Sequence, residues 1–189
     1  LLILVCVGLS TCSAVPTLLT QVLTLGELRV VTRNSPISHY VGVDGPMGPE
    51  YELARGLADA MGVRLTIYTP DSFDQTLDEL VSRRAHIAAA GLSVTSARRR
   101  QVDFGPAYQT VRPQVIARSG GRQAGSVEDL VDARIEVIAG SSHAEVLLEL
   151  RQAHPQLAWQ PVQGAEVDEL LYRLAAGDID FTVVDSTEF

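Results

Sequence analysis

Cysteine is almost missing from this chain of 189 residues: Cys6 and Cys12 are the two present, both near the start. From residue 13 onward there is no thiol to pair, to bind zinc or to act as nucleophile. A basic excess is missing too. With 15 Lys and Arg against 23 Asp and Glu, the formal net charge is -8, which argues against a nucleic-acid partner, since phosphates are met by basic surfaces. No P-loop, nucleophile elbow or dinucleotide fingerprint occurs. His39, His86, His143 and His154 lack metal-ligand spacing, so neither a metal nor a cofactor is expected. The apolar run from Leu1 to Leu9 is too short to cross a bilayer and reads as the core of a secretory signal. Leu9-Ser10-Thr11-Cys12 resembles a lipoprotein processing site, with cleavage after Ala14 in competition; export without lipid attachment is the expectation.

What remains is a globular composition, 46% hydrophobic and 20% charged, without low-complexity tracts or short tandem repeats. Its length suits one large domain or two small lobes. The most informative stretch runs from Ala88-Ala89-Ala90-Gly91-Leu92-Ser93 to Thr95-Ser96-Ala97-Arg98. Small apolar residues predict a buried strand, and Thr95 is a good N-cap for a short helix starting at Ser96. Gly91 and Ser93 then lie between strand and helix, with Arg98 rising from the first turn, and together they could take a small carboxylate. The same residues also suit an ordinary strand-to-helix turn with a surface arginine, and both readings stay open here.

Along the chain, Val15 to Gly26 reads as a linker or short helix. Leu28–Thr32 is a first strand, followed by a long loop rich in Gly and Pro. Leu53, Leu57 and Met61 at helical spacing predict the buried face of a helix over 50–61, closed by Gly62. Val63, Leu65 and Ile67 alternate as a second strand, Ser72 and Gln75 form a capping box before a helix with Leu77, Leu80 and Val81 inward, and 86–90 is a third strand. The plan repeats later. Ser126 caps a short helix, 134–138 is a strand, Ser142 and Glu145 make another capping box, 157–162 is a strand, Gly177 closes a helix, and Phe181 to Val184 leads to Asp185. This alternation predicts an α/β fold with parallel sheets, whose ligands bind beyond the carboxyl ends of the strands.

Gly91-x-Ser93-x-Thr95-x-x-Arg98, Val102-Asp103-Phe104 and Pro106-x-Tyr108 together resemble the signature of periplasmic solute-binding proteins of family 3, the polar amino-acid type. Val30 to Pro36, Glu50 to Ala54, Ala88 to Leu92 and Val184-Asp185-Ser186 are most similar to the N-terminal regulatory domain of the membrane-bound lytic murein transglycosylase F family. The resemblance implies a two-lobed periplasmic-binding-protein-like (type II) fold. Leader and linker would occupy 1–25, the first lobe 26–112, a hinge crossing 113–125 and an incomplete second lobe 126–189. It implies that Arg98 grips a ligand carboxylate with help from Ser93, that Gly91 accepts from an ammonium, and that Phe73 stacks on the ligand. Ser141 would bind the carboxylate on closure and Asp185 would pair with the ammonium. Arg33 departs from the pattern: as an added cation it should favour ligands with additional carboxylates, such as peptidoglycan stem peptides. The implied partner is a small carboxylate ligand, an amino acid or muropeptide, with no nucleic acid. A catalytic domain elsewhere in the parent chain, periplasmic localisation and membrane association through that parent are also implied. A free binding protein of an ABC importer, a cyclohexadienyl-type dehydratase using Asp185, Glu50 or His39, and a histidine-kinase sensor domain are the alternatives.

Overall fold

The computed structural model describes residues 17–188. Helix α1 (Leu18–Leu25) starts at Thr17, whose hydroxyl accepts from the Thr20 amide at 3.2 Å, and ends on left-handed Gly26. Its Val22 is buried with Leu28, Val30, Ala54 and Ala58, so the stretch read as a linker or short helix is a helix that contributes to a core. Strands β1 (Glu27–Thr32), β4 (Arg64–Tyr68) and β5 (Ile87–Ala89) form a parallel sheet in the order β4-β1-β5. The long loop after β1 contains a small hairpin, β2 (Tyr40–Gly42) with β3 (Gly45–Met47).

Helix α2 (Pro49–Met61) has the expected extent and the expected glycine terminator, but its buried face is one residue further round than the leucine spacing predicts. Leu53 and Leu57 are 56% and 42% exposed, whereas Ala54 and Ala58 are 6% and 1% exposed. Small side chains let the helix axis approach the sheet closely, and that close contact outweighs burial of the larger residues. Helices α3 (Gln75–Val81) and α4 (Ser96–Arg99) complete the first half. No capping box forms at α3, where the N-cap position is Asp74 and no side chain caps, and Val81 is exposed. Thr95 does cap α4, accepting from the Arg98 amide at 3.2 Å.

The second half has a four-stranded sheet, β6-β9-β7-β8, made of β6 (Pro113–Ala117), β7 (Ile135–Ile138), β8 (Gln160–Val162) and β9 (Phe181–Asp185). β7 runs parallel to both β8 and β9, and β6 closes one edge antiparallel to β9. Pro113–Ala117, in the segment expected to cross between the lobes, is a strand of this sheet. Pro113 is tolerated there because it is the first residue of an edge strand. Helices α5 (Ser142–Ala153) and α6 (Val167–Ala176) pack on the sheet over Leu130, Ile135, Leu147, Leu157 and Phe181, and over Ile138, Val167, Leu170 and Val184. The α5 N-cap is Ser141, one residue before the expected Ser142, and its hydroxyl accepts from the Ala144 amide at 3.3 Å. At the turn Glu128–Leu130 the expected cap is reversed: Asp129 accepts the Gly125 and Ser126 amides at 2.9 and 3.0 Å. Among the described residues no helix is long and apolar enough to cross a membrane.

Ala58→Leu is expected to destabilise the protein by about 1–3 kcal/mol in urea unfolding through overpacking. Leu57→Ser should change stability by no more than about 0.5 kcal/mol. The reverse order would place the buried face on the leucines. Arg134 binds Asp180 through Nη2 at 2.7 Å and through its backbone amide at 2.9 Å, which holds the Asp180 carboxyl down to about 2. A lowered native pKa gives stability that is present above the unfolded value and lost as pH falls through the native one. The stability difference between the parent and Asp180→Asn should therefore be small, because the pair is largely exposed, constant above about pH 4 and gone near pH 2. Unfolding midpoints measured across that range check it.

Candidate functional site

The carboxyl ends of the two sheets face each other. Thr32 and Arg33 end or follow β1, Thr69 to Phe73 follow β4, and Gly91 to Arg98 follow β5. Opposite them, Gly140 and Ser141 follow β7, Gly164 and Glu166 follow β8, and Asp185 ends β9. The approach is close: a Cβ added to Gly140, whose φ is +72°, would lie 2.5 Å from the Asp74 Cβ. Glycine is required there on two counts, backbone conformation and space.

Arg98 spans the junction and is 3% exposed. Its Nη1 donates to the Ser93 carbonyl at 3.0 Å within its own half. Nη2 donates to the Gly140 carbonyl at 2.8 Å and Nε to Glu145 Oε1 at 3.0 Å, both across the cleft. Burial pulls the Arg98 pKa below that of an ordinary arginine, and the charges of Glu145 and Asp185 oppose the change. The guanidinium stays charged and its three nitrogens are all engaged by protein groups. The sequence reading had a ligand carboxylate in the place that Glu145 takes.

The other expected site residues are distributed as follows. Gly91, at φ +65°, donates its amide to Glu50 Oε2 at 2.8 Å, and the second Glu50 oxygen accepts from the Tyr108 hydroxyl at 2.5 Å. This is how a glutamate only 6% exposed is tolerated beside Ala54 in the helix face, and burial together with Glu50 pushes the Tyr108 hydroxyl pKa up. Ser93 contributes its carbonyl, and the Ser141 hydroxyl is used in capping α5. Asp185 accepts from His143 Nε2 at 3.1 Å. Phe73 packs against the second half's cluster around Ile138 and Val167, with the Arg33 guanidinium 5.2 Å from its ring centroid.

Arg33 corrects an expectation. It was read as an unbalanced cation, yet Glu188 lies 3.1 Å and Glu166 3.3 Å from its Nη2. Burial raises the Glu166 pKa, and the Arg33 charge opposes the rise. With two carboxylates on one guanidinium, Arg33 supplies no surplus positive charge to a ligand. A cavity of about 30 Å³ remains between Thr32, Arg33, Phe73, Thr76, Gly164 and Glu166, room for roughly two waters. A ligand the size of an amino acid enters only when the two halves part. Of the residues lining this cavity, Arg33 and Thr76 hold an Nε and an Oγ1 that are buried without a hydrogen-bond partner in the protein. Among the described residues no group of three or more His, Cys, Asp or Glu side chains could hold a metal ion.

Sequence reasoning missed Glu145, His143, Glu166, Glu188 and Tyr108 as site residues. Glu145 had a visible signal, its position three residues after a serine at a helix start, but the signal named the wrong partner. Arg98→Met is expected to lower stability by about 1–3 kcal/mol in chemical denaturation, because the Gly140 and Ser93 carbonyls lose their donor. A double-mutant cycle with Glu145→Gln should give a coupling of about 0.5–3 kcal/mol. Zero coupling would mean that the pair does not hold in solution.

Residues 28–186 match the model of the bacterial extracellular solute-binding proteins, family 3. A membrane-bound lytic murein transglycosylase F of Pseudomonas fluorescens is 41% identical over 95% of this chain, and one of Ectopseudomonas mendocina is 44% identical over 92%. The chain spans 37% and 36% of their lengths, little more than a third. An amino acid ABC transporter substrate-binding protein of Streptococcus pneumoniae, solved bound to L-arginine, superposes with a TM-score of 0.77 at 25% identity, over 89% of this chain and 71% of that one. The architecture is therefore the α/β two-lobed periplasmic-binding-protein-like fold, and the chain belongs to the family 3 solute-binding proteins.

Proposed function

We propose that this domain closes on a small carboxylate-bearing ligand, an amino acid or a peptidoglycan stem peptide, and regulates an exported lytic transglycosylase of the kind it resembles. The observation that carries the reading is Arg98, a guanidinium buried where the two lobes meet, bound from both sides by Ser93, Gly140 and Glu145, with Asp185 close enough for its charge to be felt. An arginine fork in that position takes a carboxylate in a fixed orientation. Phe73 and Arg33 line a small cavity with Gly164 and Glu166, also at strand carboxyl ends. The transglycosylase chemistry belongs to a domain elsewhere in such a parent protein, and no residue of this chain is assigned to it. Periplasmic localisation, with membrane association through the parent, follows from the same resemblance.

A second reading, a free amino-acid-binding protein serving an importer, is favoured by the likeness to the Streptococcus pneumoniae protein. Thermal-shift titration with single amino acids and with stem peptides separates the two, because a ligand that binds the native state raises the melting temperature by mass action. A rise with stem peptides but not free amino acids, lost in Arg98→Ala, is expected for the regulatory domain. A rise with one free amino acid at micromolar concentration would favour the importer reading. No rise with any of them would remove both.

A further inference from the structure

Helix α5 occupies both charged groups that an amino acid would use. Glu145 places a carboxylate oxygen 3.0 Å from Arg98 Nε, and His143 donates from Nε2 to Asp185 Oδ1 at 3.1 Å. Asp185 accepts that bond through Oδ1, and it lies close enough to Arg98 for its charge to act on the guanidinium. Residues two apart on a helix normally point to different surroundings, and these do: His143 reaches the end of β9 in its own lobe, whereas Glu145 reaches across the cleft to α4. The chemistry is that of a bound amino acid. An acceptor with negative charge sits on the arginine, and an N–H donor sits on the aspartate.

We propose that His143 and Glu145 act as a built-in surrogate for the two charged groups of an amino acid, Glu145 also latching the lobes together, and that they set the affinity a ligand must exceed. The inference rests on the reading of Arg98 and Asp185 as ligand-binding groups. Binding then becomes an exchange, in which the ligand carboxylate replaces Glu145 on Arg98 and its ammonium replaces His143 on Asp185. The Glu145 side chain is 31% exposed, so once displaced it can reach water. Because each pair broken is replaced by a similar one, charge recognition alone gains little. Selectivity passes to whatever the ligand carries beyond those two groups, and plain amino acids bind weakly.

The test uses the chain with His143→Ala and Glu145→Ala combined, L-arginine and L-alanine as probes in titration calorimetry, and small-angle scattering without any probe. Alanine is a strong helix former, so α5 should persist. Glu145→Gln, which keeps the shape and removes the charge, serves as the milder second variant. The double variant is expected to bind at least one probe tenfold or more tightly than the parent, and to have a larger radius of gyration when free. Equal or weaker binding by the variant, with the parent binding measurably, would overturn the surrogate and make His143 and Glu145 ligand contacts or bystanders. Unchanged scattering would overturn the latch whatever binds. If the variant opens and neither protein binds either probe, the latch stands and the reading of Arg98 and Asp185 as an amino-acid site falls.

Discussion

Arg98 lies 3% exposed where the carboxyl edges of two sheets meet, and an arginine cannot shed its proton to escape such a position. A buried charge of this kind needs every available partner, and its own lobe provides one, the Ser93 carbonyl. The other two, Gly140 and Glu145, belong to the opposite lobe. Satisfying one guanidinium therefore fixes the distance between lobes, and the fixed distance dictates the glycine at 140, where a Cβ would meet Asp74. The chain contains no lysine; all 15 of its cationic side chains are arginine. That choice suits a cleft that closes, because a guanidinium is less strongly hydrated than an ammonium and offers donors in several directions at once.

Arg33 repeats the arrangement at the other end of the mouth, but with the balance of charge reversed. Two carboxylates converge on it, and burial raises the Glu166 pKa while the Arg33 charge opposes the rise. With Glu145 and Asp185 added, the closed cleft has more carboxylates than arginines. An incoming anion thus meets competition at each cation, which is the opposite of what Arg33 suggests when it is read alone. Phe73 underlies this pair as an apolar floor and ties it to the second lobe's cluster around Ile138.

The order of elements was legible from the sequence because it depends on near neighbours in the chain. Alternation marked β4, Thr95 marked the start of α4, and Gly62 and Gly177 marked helix ends through the left-handed conformation that they adopt. Misreadings arose wherever a residue's partner was remote. The leucine spacing in α2 was real, yet the sheet selected Ala54 and Ala58, and only contact distance decides between two adjacent stripes. Ser142 and Glu145 fit a capping box, but Glu145 binds Arg98, 47 residues earlier in the chain. Pro113, expected to open the hinge crossing, is the first residue of an edge strand, because β9 lies beside it. For the site, residue types and their order beyond the strand ends could be read, whereas which acid meets which base could not.

The end of β9 lies close to the segment that leads from the first lobe. β6 and β9 pair antiparallel from Pro113 with Asp185 to Ala117 with Phe181, and the pairing continues past the sheet. The Ser186 amide donates to the Arg112 carbonyl at 2.9 Å, and the Arg112 amide donates to the Ser186 hydroxyl at 3.2 Å. Asp185, the residue that His143 engages, is thus adjacent to the one that bonds the segment leading from the first lobe. A change of partner at Asp185 acts next to that segment, with no relay of intervening side chains. Lobe closure pivots on a few backbone torsions at such crossings, and Asp185 lies one peptide bond from a residue that is hydrogen-bonded to this one. The carboxylate that His143 engages and the backbone that bonds the crossing segment are therefore neighbours along the chain.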